Sequence, residues 1–269
     1  MAVPVPWLGR ALTPVQLFRI PNSAFRIEQS LHIYAMMKLV LFDIDGTLLW
    51  TDGVGRRALQ RALLDEMGST GPIDSYRFDG KTDPQIVRDL LSAAGVAEAR
   101  ITAGMDAVLQ RYVERLEQAF AEHDATTRLM AGVPELLDAL RPHEGEGRAL
   151  VGLLTGNVER GAALKLRSAG LDPGRFAVGA FGSDSHHRPD LPAVAARRAA
   201  ARTGRAFHGP DVVVLGDTPQ DVTCGRPIGA RAVAVATGNY GMDDLRAAGA
   251  AHVFSDLSDT PAVLAALLE

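Results

Sequence analysis

The chain has 269 residues, of which 47% are apolar and 22% charged, with a formal net charge of -4. These values describe an ordinary globular protein of one or two domains with a substantial core, and they exclude the basic face that a nucleic-acid partner requires. One cysteine, Cys224, excludes an internal disulfide and favours a cytoplasmic setting, and no apolar run approaches the ~20 residues of a membrane span.

Residues 1–36 carry several prolines, three arginines and one acid, without a helical or strand period. A transit peptide is Arg-rich and poor in acids, but this stretch lacks the apolar block of a secretory signal. It reads as a poorly ordered extension ahead of Met36-Met37. A short apolar run, Leu39-Val40-Leu41-Phe42, then ends abruptly in Asp43-Ile44-Asp45-Gly46-Thr47. Such a run reads as a buried parallel strand, and ligands of an open α/β sheet collect beyond a strand's carboxyl end. Two acids one residue apart repel, so a nearby cation is expected, with magnesium as first candidate. The plainer reading makes Asp43 and Asp45 turn residues, with Gly46 supplying positive φ.

Asp52-Gly53-Val54-Gly55 reads as a turn, since the third glycine of a dinucleotide fingerprint is absent. Helices are predicted over residues 56–67, 86–94 and 103–122, the second opened by Thr82-Asp83-Pro84, with no obvious strand from residue 71 to about residue 128. An all-helical segment placed directly after the first strand, residues 52–128, suits a cap that closes over a site and excludes water. The core is then residues 37–51 and 129–269. Beyond Gly132 the alternation is regular. Helices fall at 135–140, 158–169, 191–203, 219–228, 245–248 and 261–268, and strands at 150–154, 177–181, 212–215, 232–236 and 252–254. That pattern predicts a Rossmann-like parallel sheet with helices on both faces.

Two further strands end in site-like residues, Leu154-Thr155-Gly156-Asn157 and Leu215-Gly216-Asp217-Thr218-Pro219-Gln220-Asp221. With Asp43 and Asp45, three strand ends offer acids, hydroxyls and backbone N–H groups to one crevice. In sequence and order these segments resemble successive motifs of the haloacid-dehalogenase-like superfamily, within which the chain is most similar to phosphoglycolate-phosphatase-like hydrolases with a helical cap. The resemblance runs from about residue 38 to residue 256. Gly80-Lys81-Thr82-Asp83 is similar to the cap segment that those proteins point at substrate, with Lys81 the charged candidate or simply a solvated lysine.

The resemblance implies that Asp43 attacks phosphorus and forms an aspartyl-phosphate, while Asp45 protonates the leaving oxygen and later activates water. It implies magnesium held by the Asp43 side chain, the Asp45 backbone carbonyl and Asp217, with Asp221 as a further ligand. Thr155 and the N–H groups of Gly156 and Asn157 would bind phosphate oxygens. The superfamily's usual lysine is missing between the second and last motifs, where Arg188-Pro189 stands instead. Arg188 is the natural substitute because a guanidinium holds phosphate bidentately. Lys165 is the fallback, although its place within a helix suits a solvated face. His186 and His187 read as loop residues, since adjacent histidines lack the usual ligand spacing.

The expected activity is magnesium-dependent hydrolysis of a small phosphorylated metabolite. A phosphosugar mutase of the same superfamily would keep every motif, and a non-catalytic phosphate- or metal-binding regulator would have no use for Asp45. Haloacid dehalogenation, for which relatives characteristically lack the acid at the Asp45 position, is disfavoured.

Overall fold

The computed structural model describes residues 37–122 and 126–269, and the extension read over residues 1–36 lies outside them. The first half of the chain forms β1 (Lys38–Phe42), β2 (Leu49–Trp50), α1 (Val54–Met67), α2 (Asp83–Ala93), α3 (Glu98–Ala121), β3 (Arg128–Leu129), α4 (Val133–Gly145) and β4 (Ala149–Leu154). The second half forms α5 (Glu159–Ser168), β5 (Val178–Ala180), α6 (Leu191–Thr203), β6 (Val212–Gly216), α7 (Pro219–Cys224), β7 (Arg231–Val235), α8 (Met242–Ala247), β8 (His252–Phe254) and α9 (Thr260–Leu268).

β1 sends Leu39 and Leu41 to one face and Val40 and Phe42 to the other, and all four are fully buried. A strand without a polar face needs both sides covered, and a parallel sheet between helix layers provides that. Six strands pair in the order β5-β4-β1-β6-β7-β8, every pair parallel. On the Val40 and Phe42 side, Leu136 and Leu140 of α4, Leu166 of α5 and Leu267 of α9 complete the layer. On the Leu39 and Leu41 side, Leu191, Ala195 and Ala199 of α6 and Cys224 of α7 do so. Each large side chain buried this way contributes about 1.5–3 kcal/mol.

The three helices between β2 and β3 have a separate core in which Leu59, Leu63, Leu90, Val108 and Leu116 pack together with Val158 from the sheet domain. The chain leaves and re-enters the sheet layer through an antiparallel pair, Leu49 opposite Leu129 and Trp50 opposite Arg128. Neither segment is marked as a strand by its sequence, because two residues are too few to show a period of two.

Several boundaries also move. The first insertion helix begins at Val54, with left-handed Gly53 (φ 74°) as its N-cap, so Gly55 is already helical. The third begins at Glu98. α4 continues past residue 140 through Pro142 to Gly145. α7 ends at Cys224, and a separate 3-10 turn, Arg226–Ile228, follows where one longer helix was expected. Among the described residues, no helix is long and apolar enough to cross a membrane.

Candidate active site

β4, β1 and β6 are neighbours, so the residues that follow them, Thr155, Asp43 and Asp217, come together at one edge of the sheet. Asp43 continues the ladder, its N–H donating to Leu215 O at 2.9 Å, and the chain then turns sharply, with Leu48 N donating to Ile44 O at 2.9 Å. Gly46 takes φ 84° in this turn, and a Cβ there would lie 2.4 Å from Asp217 Oδ2. Only glycine lets the carboxylate rest against the backbone in that conformation. Thr47 Oγ1 donates to Asp217 Oδ1 at 2.9 Å and fixes the acid from the same turn.

Asp43, Asp217 and Asp221 are all buried, and each brings a carboxylate oxygen within 4.8 Å of the others. Asp221 is oriented by the start of α7. Its Oδ2 accepts from Thr218 N at 3.0 Å and from Thr218 Oγ1 at 2.6 Å, a reciprocal helix cap. Arg188 is the nearby cation, with Nη2 donating to Asp43 Oδ1 at 2.9 Å and to Asp221 Oδ1. Burial, and next the charge of Asp221, push Asp43 up to about 7 against the pull of Arg188. Burial and then Asp221 and Asp43 likewise hold Asp217 well above the ordinary carboxylate range. Three hard oxygen donors sharing one guanidinium are under-neutralised, so the donor set fits a divalent cation such as magnesium.

Asp45 faces the other way, and its carboxylate lies outside that acid group. It accepts from Lys165 Nζ at 2.8 Å on each oxygen and from Asn157 Nδ2 at 2.7 Å on Oδ2. Lys165 therefore corrects the expectation of a solvated lysine. It is 5% exposed, on the face of α5 that also buries Gly161, Ala162 and Leu166. Its spacing of three and four from Ala162 and Gly161 was the sequence signal for this placement.

Thr155 is fully buried and accepts from Asn157 Nδ2 at 2.7 Å. Gly156 is pressed against the helical insertion. A Cβ would stand 1.9 Å from Lys81 O, and its own carbonyl accepts from Asp83 N at 2.8 Å. Lys81 lines the cavity, yet its Nζ is drawn to Tyr76 Oη at 2.5 Å and to Asp89 at 3.4 Å. His186 and His187 are exposed, as expected of loop residues, and His187 pairs with Asp190. Cys224 is buried and its thiol is pushed up to about 12, chiefly by that burial.

These side chains open on a cavity of about 290 Å³ between the sheet edge and the insertion. Its far wall includes Trp50, Phe78 and Tyr112, which the motif reading did not single out. Asp83 has a place in that reading only within a helix start and the cap segment, without a role of its own. It is buried, its carboxylate accepts from Val158 N at 2.8 Å, and burial pushes it up to about 6. Neither a helical position, as for Tyr112 and Asp83, nor a strand or loop position, as for Trp50 and Phe78, separates such residues from ordinary structural ones.

A family model for haloacid dehalogenase-like hydrolase matches residues 40–226. Among solved structures, the chain resembles a hydrolase from Pseudomonas syringae at 21% identity and TM-score 0.63, over 86% of this chain and 98% of that one. It also resembles CbbY from Rhodobacter sphaeroides in complex with phosphate, at 20% identity and TM-score 0.57, over 83% and 96% of the two chains. A third, a candidate beta-phosphoglucomutase from Bacteroides vulgatus, aligns at 21% identity and TM-score 0.59 over 91% and 97%. At these identities the likeness is one of fold. No curated protein matches the chain by sequence.

Proposed function

The chain belongs to the family of haloacid dehalogenase-like hydrolases, and from that premise we propose that it hydrolyses a small phosphomonoester with magnesium, through a phosphorylated Asp43. The observation that carries the reading is the meeting of Asp43, Asp217 and Asp221 within 4.8 Å, beside a differently held Asp45. Asp43 and Asp217, with Asp221 and the Asp45 backbone carbonyl, would hold the metal. Magnesium there supplies positive charge to the acids and to the transferring phosphoryl group.

In the first step an Asp43 carboxylate oxygen bonds to phosphorus, the ester P–O bond breaks, and Asp45 gives its proton to the departing oxygen. In the second, Asp45 takes a proton from water as that oxygen attacks phosphorus, and the bond to Asp43 breaks to release phosphate. Arg188, with the N–H groups of Gly156 and Asn157 and the Thr155 hydroxyl, supplies donors for the phosphate oxygens. The helical insertion, residues 52–128, serves as the cap that keeps bulk water from the phosphorylated side chain.

The test is phosphate release from p-nitrophenyl phosphate by the purified chain, with magnesium and with chelator. Release is expected only with the metal. Asp43→Asn should cost about a thousandfold or more in kcat while the circular dichroism stays unchanged. Turnover unaffected by chelation, or by Asp43→Asn, ends this reading. Slow release from a phosphosugar accompanied by its isomerisation would identify a mutase instead.

A further inference from the structure

The three protons of the Lys165 ammonium have three acceptors. Nζ lies 2.8 Å from Asp45 Oδ1, 2.8 Å from Asp45 Oδ2 and 2.6 Å from Asn157 Oδ1. With its donors thus engaged, Lys165 has none left for a phosphate oxygen. Asn157 closes the network, giving one amide proton to Asp45 Oδ2 and the other to Thr155 Oγ1, both at 2.7 Å. The Asp45 carboxylate is thereby held at both oxygens by two residues of the β4–α5 segment.

The surroundings are arranged for this. Across from Lys165 stands Gly55 of α1, where a Cβ would meet Nζ at 3.5 Å, in ordinary contact. Tyr112 and Asp83 face the same pocket from α3 and α2, and Asp43 borders Asp45 from β1. Fixing a buried lysine costs about 2 kcal/mol of rotamer freedom, and pairing its desolvated ammonium with a carboxylate whose side chain is 40% exposed returns little net stability. Stability alone therefore does not account for a lysine at this position.

We infer that Lys165 is a positioning residue, which together with Asn157 holds the Asp45 carboxyl in line with the departing oxygen so that the proton arrives as the P–O bond breaks. The inference rests on the proposed role of Asp45 as acid and base. It concerns orientation, and its signature is dependence on the leaving group. p-Nitrophenolate departs readily without a proton, whereas benzyl alcohol needs one.

The experiment compares kcat/KM on p-nitrophenyl phosphate and benzyl phosphate for the wild type, Lys165→Met and Asn157→Ala, all with magnesium. General-acid assistance is worth about a hundredfold or more. Lys165→Met should therefore lose about a hundredfold on benzyl phosphate and under about fivefold on p-nitrophenyl phosphate, with KM for each within about threefold. Asn157→Ala should show the same leaving-group selectivity to a smaller degree, and it decides the matter if Lys165→Met fails to fold. Equal losses on the two esters, no loss, or a rise in KM and in the inhibition constant of inorganic phosphate would overturn the inference, the last by making Lys165 a phosphate ligand. A wild type that releases no phosphate overturns the hydrolase reading and this inference with it. An active wild type with unselective variants overturns only the inference.

Discussion

Arg188 sits where attraction and repulsion are nearly balanced. It faces Asp43 and Asp221, is 4% exposed, and has its Nε buried without a hydrogen-bond partner among the described residues. Removing one member of a buried ion pair leaves the others uncompensated, at a cost of about 3–5 kcal/mol. Arg188→Ala should lose stability on that scale in denaturant unfolding without divalent metal, and saturating magnesium should restore part of it. A change below about 1 kcal/mol would show that the acids do not depend on the guanidinium. The family resemblance made this residue readable, because Arg188-Pro189 stands where the superfamily's usual lysine is missing. Asp43, Thr155 and Asp217 were readable for another reason, that each directly follows a buried strand. Lys165 was obscured by its charge, since a lysine within a helix is ordinarily solvated.

Segments of secondary structure were legible in proportion to their length and regularity. α1, α2 and α3 each repeat apolar residues every three to four positions, and the sheet strands are short apolar blocks bounded by glycine or polar turns. The contact between the insertion and the sheet was not legible, because backbone groups make much of it. Asp83 N donates to Gly156 O at 2.8 Å, Thr82 Oγ1 donates to His186 O at 2.7 Å, and Asn239 Nδ2 reaches Asp79 Oδ1 at 2.6 Å. Carbonyl positions leave no trace in a residue pattern. Gly156→Ala places a methyl 1.9 Å from Lys81 O, and overpacking of this kind costs about 1–3 kcal/mol. The expected result is a loss of about tenfold or more in kcat/KM with helix content kept. Wild-type kinetics in that variant would mean that the insertion need not lie this close during turnover.

At the level of the entire molecule, the acid cluster makes stability depend on pH. With Asp43 pushed up to about 7, the native state keeps a proton that the unfolded chain releases near 3.8. Between those values the native state binds more protons, so this group's contribution to stability falls as pH rises through the window. Asp217 acts in the same direction. In metal-free buffer, Asp43→Asn should match the wild type near pH 4 and exceed it by about 1–3 kcal/mol at pH 8, measured by urea unfolding at both values. Magnesium should then narrow the gap at pH 8 by stabilising the wild type. A pH-independent difference would show that Asp43 is not held away from its ordinary titration.

The antiparallel pair formed by Leu49–Trp50 and Arg128–Leu129 brings the two boundaries of the insertion side by side. A segment attached at such neighbouring points can lengthen, shorten or be exchanged for another with little entropic penalty and no rethreading of the sheet. What the pocket admits is in this way separable from the reaction carried out at its floor, and the two can diverge independently over descent.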